Sequence, residues 1–130
     1  MELLIVSFGY KYGLPPEAGL TLDVRFLPNP FHDPGLRPLS GLDAPVRDYV
    51  CKLPQAKGLL CKLDDLAAYL PALYREDGRK NLTIAVGCTG GRHRSVAVAC
   101  ALHGLLTARG YDFTLFHRDI ERDAKAAHGR

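Results

Sequence analysis

No apolar run in the 130-residue sequence approaches membrane-spanning length, so a transmembrane helix is not expected. The opening MELLIVSFGYKYG lacks a basic n-region and a small-residue cleavage site, and it reads as a strand rather than a signal peptide. Cys51, Cys61, Cys88 and Cys100 share no C-x-x-C spacing, and no cluster has zinc-site spacing, so no metal is expected. Reduced thiols in a cytoplasmic protein are the simplest account of such cysteines. There is no internal repeat and no low-complexity segment. The pattern G-x-x-x-x-G-K-[ST] is absent, which excludes a P-loop NTPase site. Nothing in the sequence calls for a cofactor.

What is present suits one globular domain over residues 1–130. Apolar residues make up 47% and charged residues 24% of the chain, enough for a core without disulfides or a metal. The net charge of +3 is unevenly spread. Residues 1–74 carry 7 basic and 8 acidic side chains, whereas residues 75–130 carry 10 and 6. The positive field lies in the second half, which favours an anionic ligand, nucleic acid among them.

Hydrophobic patterning predicts strands over Glu2–Ser7, Leu20–Phe26, Leu82–Val86 and Asp112–Phe116. Helices are predicted from Asp43 to about Lys52, from Asp64 with a kink or break at Pro71, and over Ser95–Arg109, closed by Gly110. Residues 27–42 hold four prolines and several apolar residues, which reads as an ordered functional loop. Cys51, Cys61, Cys100 and His103 read as core residues, and the tail to Arg130 as polar. Strands alternating with helices imply an α/β fold. The expected architecture is a small, mostly parallel sheet of about four strands with helices on its faces. Ligands of such sheets bind beyond the carboxyl ends of the strands. Asp23 with Arg25, the stretch Gly87–Ser95, and His117 with Arg118 all fall at such ends.

The richest stretch is GCTGGRHRSV, residues 87–96. A strand, a glycine-rich turn and a helix start coincide there with three basic side chains. Glycines let backbone N–H groups approach an anion, and the helix N-terminus adds partial positive charge. Arg92 and Arg94 would add bidentate hydrogen bonds, and His93 would add more if protonated. Two chemistries stay open: the turn holds an anion, or Cys88 attacks one. The run Cys88-Thr89-Gly90-Gly91-Arg92-His93-Arg94-Ser95 matches C-x-x-G-x-x-R-[ST]. It resembles the phosphate loop of cysteine-dependent tyrosine phosphatases, with Cys88 as nucleophile and Arg94 as clamp. Gly87 stands where those enzymes usually have histidine. Asp33 is the one candidate general acid.

A second resemblance covers nearly the whole chain, from about Leu4 to Arg122. SFGYKYGLP, DVRFLPNPF, RPLSGLDAPV, the proline-broken YLPALY and LTIAVGCTGGRHRSV occur together in an order and spacing that resemble the C-terminal domain of the RapZ family of RNase adapter proteins. That resemblance implies a pocket for an amino-sugar phosphate, glucosamine 6-phosphate, around the glycine turn, and binding of small regulatory RNA. By position it implies Thr89, Gly90, His93 and Arg94 as ligand contacts, with Arg25 and Asn29 opposite and Lys11 in the first loop. Cys88, Gly91, Arg92 and Ser95 complete the candidate ligand set. Family members pair this domain with an N-terminal P-loop NTPase domain, which is not expected within these 130 residues. An NTPase or an RNase would then be a separate partner, and homo-oligomerisation is open. The reading is a regulatory, non-enzymatic anion-binding domain, with the cysteine phosphatase as its alternative.

Overall fold

The computed structural model describes residues 1–128. Strands β1 (Glu2–Gly9), β2 (Leu20–Asp23), β3 (Asn81–Cys88) and β4 (Thr114–His117) form one sheet in the order β2-β3-β1-β4. Every pair is parallel, with Glu2 opposite Asn81, Gly9 opposite Cys88, Ser7 opposite His117 and Asp23 opposite Gly87. All four carboxyl ends therefore lie along one edge. The fold is α/β, as the alternation of strands and helices implies.

Helices α1 (Ala44–Cys51), α2 (Pro54–Glu76) and α3 (Arg94–Ala108) supply much of the rest of the core. Side chains alternate across a strand. Ile5, Leu82, Ile84, Val86 and Cys88 turn to one face and pack with Val46 and Val50 of α1, Leu60 and Leu63 of α2, and Val98 and Leu102 of α3. Val6, Phe8 and Ala85 turn the other way and are covered by Tyr10 and Ala18 of the β1–β2 connection. The three helices thus share the cluster on one face. A fourth helix, α4 (Ile120–His128), ends the described chain.

Three boundaries differ from the sequence-based expectation. β2 stops at Asp23 rather than Phe26, because the chain turns after Val24, whose N–H bonds the Gly87 carbonyl. α2 begins at Pro54, well before Asp64. Proline suits the first helical position, where its missing N–H is not needed. Asp64 is interior and accepts a hydrogen bond from Arg109 instead. Pro71 does not break α2. It falls in register with Ala56, Leu60, Leu63 and Ala67, so its ring packs on the buried side of the helix. Cys61 is exposed rather than in the core, while Cys51 and Cys100 are half-buried. No described helix is long and apolar enough to cross a membrane.

Candidate anion site at the β3–α3 turn

The β3–α3 turn lies against the end of β1, its neighbour in the sheet. Gly91 has φ +77°, a conformation open to glycine, and a Cβ there would run into the Gly9 main chain. The turn therefore rests on β1 with no side chain between them. Behind it, a side chain at Gly87 would enter the packed rings of Phe8 and Tyr10, whose centroids are 4.8 Å apart. That contact accounts for glycine at 87, where the tyrosine phosphatases usually have histidine.

α3 starts directly after the turn. His93, its N-cap residue, makes no side-chain hydrogen bond to the first turn, so those N–H groups have no capping side chain. Arg94, the first helical residue, is only 6% exposed. Its Nη1 donates to the carbonyls of Arg25 (2.6 Å) and Leu27 (3.0 Å). Its Nη2 has a long contact of 3.4 Å with Thr89 Oγ1, and its buried Nε has no partner. Nε and Nη2 are adjacent donors on one edge of the guanidinium, the fork that grips an oxyanion. Arg92 spans two loops, donating from Nη1 to the Ile120 carbonyl and from Nη2 to the Pro38 carbonyl, and its Nε is also unpartnered. Neither arginine has an ion pair among the described residues.

A cavity of about 90 Å³ opens here, lined by Lys11, Asn29, Phe31, Cys88, Thr89, Gly90, Arg92, His93, Arg94 and Asp123. Eight of the sequence candidates thus surround one space, and three do not. Gly91 supports the turn from behind. Ser95 is buried and accepts a hydrogen bond from the Cys88 thiol at 3.2 Å. Arg25 points elsewhere: its guanidinium pairs with Asp23 at 2.7 Å and lies 3.9 Å above the Tyr10 ring. Only its carbonyl reaches the site, through Arg94. The resemblance implies the Arg25 side chain as a ligand contact, whereas here Asp23 and the Tyr10 ring occupy its guanidinium.

His93 is largely buried, which disfavours its charged form. Burial pushes its pKa below the ordinary 6.5, with Arg92 adding to the effect and the Arg37 carbonyl opposing it. Its Nε2 donates to that carbonyl at 3.1 Å. The 27–42 loop is ordered by similar local bonds. Asn29 caps a turn of 3-10 helix over Pro30–His32 by accepting from the Phe31 N–H, and Arg37 Nε donates to the Phe31 carbonyl. Asp33 bonds the Gly35 N–H on the exposed side of this loop and does not line the cavity. Among the described residues no group of three His, Cys, Asp or Glu side chains is placed to hold a metal ion.

The family model described as the RapZ C-terminal domain matches residues 1–121. This chain belongs to that family. It is similar to proteins named "Nucleotide-binding protein" from Carboxydothermus hydrogenoformans (54% identical over 122 residues), Nitratidesulfovibrio vulgaris (52% over 121) and Clostridium perfringens (48% over 123). The three alignments cover 94%, 93% and 95% of this chain but only 42%, 40% and 42% of the relatives. The chain thus spans about two-fifths of the length of the curated relatives it matches.

In this RapZ C-terminal domain two lining residues, Phe31 and Asp123, lie outside the candidate ligand set, and the carboxylate is the consequential one. Asp123 sits in the first turns of α4, and its carboxylate lies against Gly90, where a Cβ would strike it. It pairs with Lys11 Nζ at 2.6 Å, and that pairing raises the Lys11 pKa. In the structure Asp119 is fully buried and accepts from the Gly9 N–H at 2.8 Å, from Arg118, and from Arg122. His117 and Arg118 lie at the strand ends outside the cavity. His117 Nδ1 and Ser7 Oγ share a hydrogen bond, and Arg118 reaches the Gly13 carbonyl.

Proposed function

We propose that this chain is a regulatory binding module that takes the phosphate group of a phosphorylated metabolite at the β3–α3 turn. One observation carries the reading. Arg94 is a buried guanidinium with no ion pair among the described residues and an unpartnered Nε, set on the first residue of a helix whose N-terminus has no side-chain cap. A buried charge without a counter-ion is costly, and an anion at the turn offsets it. The glycine turn and Arg92 add donors and charge beside it.

The resemblance favours an amino-sugar phosphate. The relatives' name favours a nucleotide, which is also a phosphate ester. The cavity of about 90 Å³ is small beside the clefts of roughly 300–1,000 Å³ that enclose whole drug-sized ligands. It suits the phosphate end, with the organic part lying towards Asn29 and Phe31. Small regulatory RNA is the larger anion in the same proposal, attracted by the basic second half of the chain.

Binding is favoured over hydrolysis. The Cys88 thiol is hydrogen-bonded to Ser95, Asp33 lies outside the cavity, and the one carboxylate inside, Asp123, is held by Lys11. Calorimetric titration with glucosamine 6-phosphate tests the reading. Arg94→Ala, with its folding checked by circular dichroism, should lose on the order of 1.5–3 kcal/mol of binding. Unchanged affinity would place the site elsewhere. Aryl phosphate turnover abolished by Cys88→Ser would restore the phosphatase.

A further inference from the structure

We propose that Asp123 makes the cavity selective for a single phosphate group and excludes ligands that carry a second phosphate next to the first. This rests on the anion-binding reading of the same site, and it concerns how much negative charge that site accepts.

The charges lining the cavity are Lys11, Arg92, Arg94 and Asp123. His93 adds little to that balance, since its burial disfavours the charged form. Lys11 and Asp123 cancel each other across 2.6 Å. Two guanidiniums remain, which match the charge of one phosphate monoester, about −1.5 to −2 at neutral pH. A second phosphate brings charge for which no cation remains.

Asp123 is also placed where that charge would fall. Its carboxylate rests on Gly90, inside the turn whose N–H groups would receive the anion. It cannot readily withdraw. Asp119, one helical turn earlier, ties the start of α4 to the end of β1 through the Gly9 N–H. The Asp123 N–H itself donates to the Asp119 carbonyl. A fixed like charge beside a binding site is a common way to reject a wrong ligand.

The signature is unusual. A plain cationic patch binds the more highly charged anion more tightly. Here inorganic phosphate should outbind pyrophosphate. The test is an NMR titration of the whole chain with each anion at constant ionic strength, following the Gly90 and Gly91 amides. The unmodified protein should prefer phosphate at least tenfold. Asp123→Asn should narrow that ratio at least fivefold, chiefly by tightening pyrophosphate. Lys11→Gln, which leaves Asp123 uncompensated, should widen it, and this second variant serves if the first does not fold. Pyrophosphate binding as tightly as phosphate, or a ratio that neither variant moves, overturns the selectivity and leaves the anion site standing. If neither anion shifts the turn amides, the anion site itself falls, and the selectivity with it.

Discussion

Arg25 and Arg94 meet through main chain rather than through charge. The Arg25 carbonyl accepts from Arg94, while the Arg25 guanidinium is occupied by Asp23 and by the face of Tyr10. Arg25→Ala should therefore leave sugar-phosphate affinity within about twofold, whereas Arg94→Ala should weaken it at least tenfold. Side-by-side calorimetry of the two variants checks this, and an equal loss would put the Arg25 side chain in the site. The two residues also show what single positions reveal in advance. Arg94 was legible because glycines, basic residues and a helix start coincide around it. Arg25 was placed in the site by its position at a strand end and by the resemblance, and neither fixes where its guanidinium points once it pairs with Asp23. Asp123 was invisible for another reason. Its role comes from contact with Gly90, 33 positions earlier, and no local pattern encodes that contact.

At the level of elements, α4 depends on one buried carboxylate. Asp119 satisfies the Gly9 N–H and gathers Arg118 and Arg122, so it fastens the last helix to the strand that supports the glycine turn. Asp119→Ala would strand that N–H and leave the two arginines without their partner. The expected cost is about 3 kcal/mol of stability, read by urea denaturation. Limited proteolysis of the same variant should cut first between β4 and α4. A variant as stable and as resistant as the parent would show that α4 is held by something else. The elements themselves were largely readable from hydrophobic period: all four strands and the site helix α3 lie where patterning puts them, to within a few residues. α2 was not: the sequence reading began it at Asp64 and kinked or broke it at Pro71, whereas Pro54 starts the helix and Pro71 packs inward, which only tertiary burial reveals.

For the molecule as a whole, two histidines link stability to acidity. Burial depresses the pKa of both His93 and His117 below the ordinary 6.5. Below about pH 6.5 the unfolded chain takes up protons that these folded imidazoles refuse, so the unfolded state binds more protons and folding is disfavoured. Their contribution is fully present above that pH and is lost as the pH falls through the depressed values. The melting temperature should fall on acidification from about pH 7.5 to 5, and the double variant His93→Gln/His117→Gln should flatten the slope. A profile equally steep in that variant would assign the effect to carboxylates. Asp23, which its bonds to Arg25 hold below its ordinary 3.8, acts only at lower pH.

The strand order carries a last consequence, for how the chain reaches this shape during synthesis. β1 is made before its two neighbours: Glu2 pairs with Asn81, and Leu4 with Thr114. A ribosome adding roughly 5–20 residues per second needs about 4–16 s to cover the 79 positions between Glu2 and Asn81. Throughout that interval the apolar segment ELLIVSF has no strand partner on either side. The glycine turn is made late and closes onto a strand that has been waiting for it, so the candidate site and the centre of the sheet come into being together.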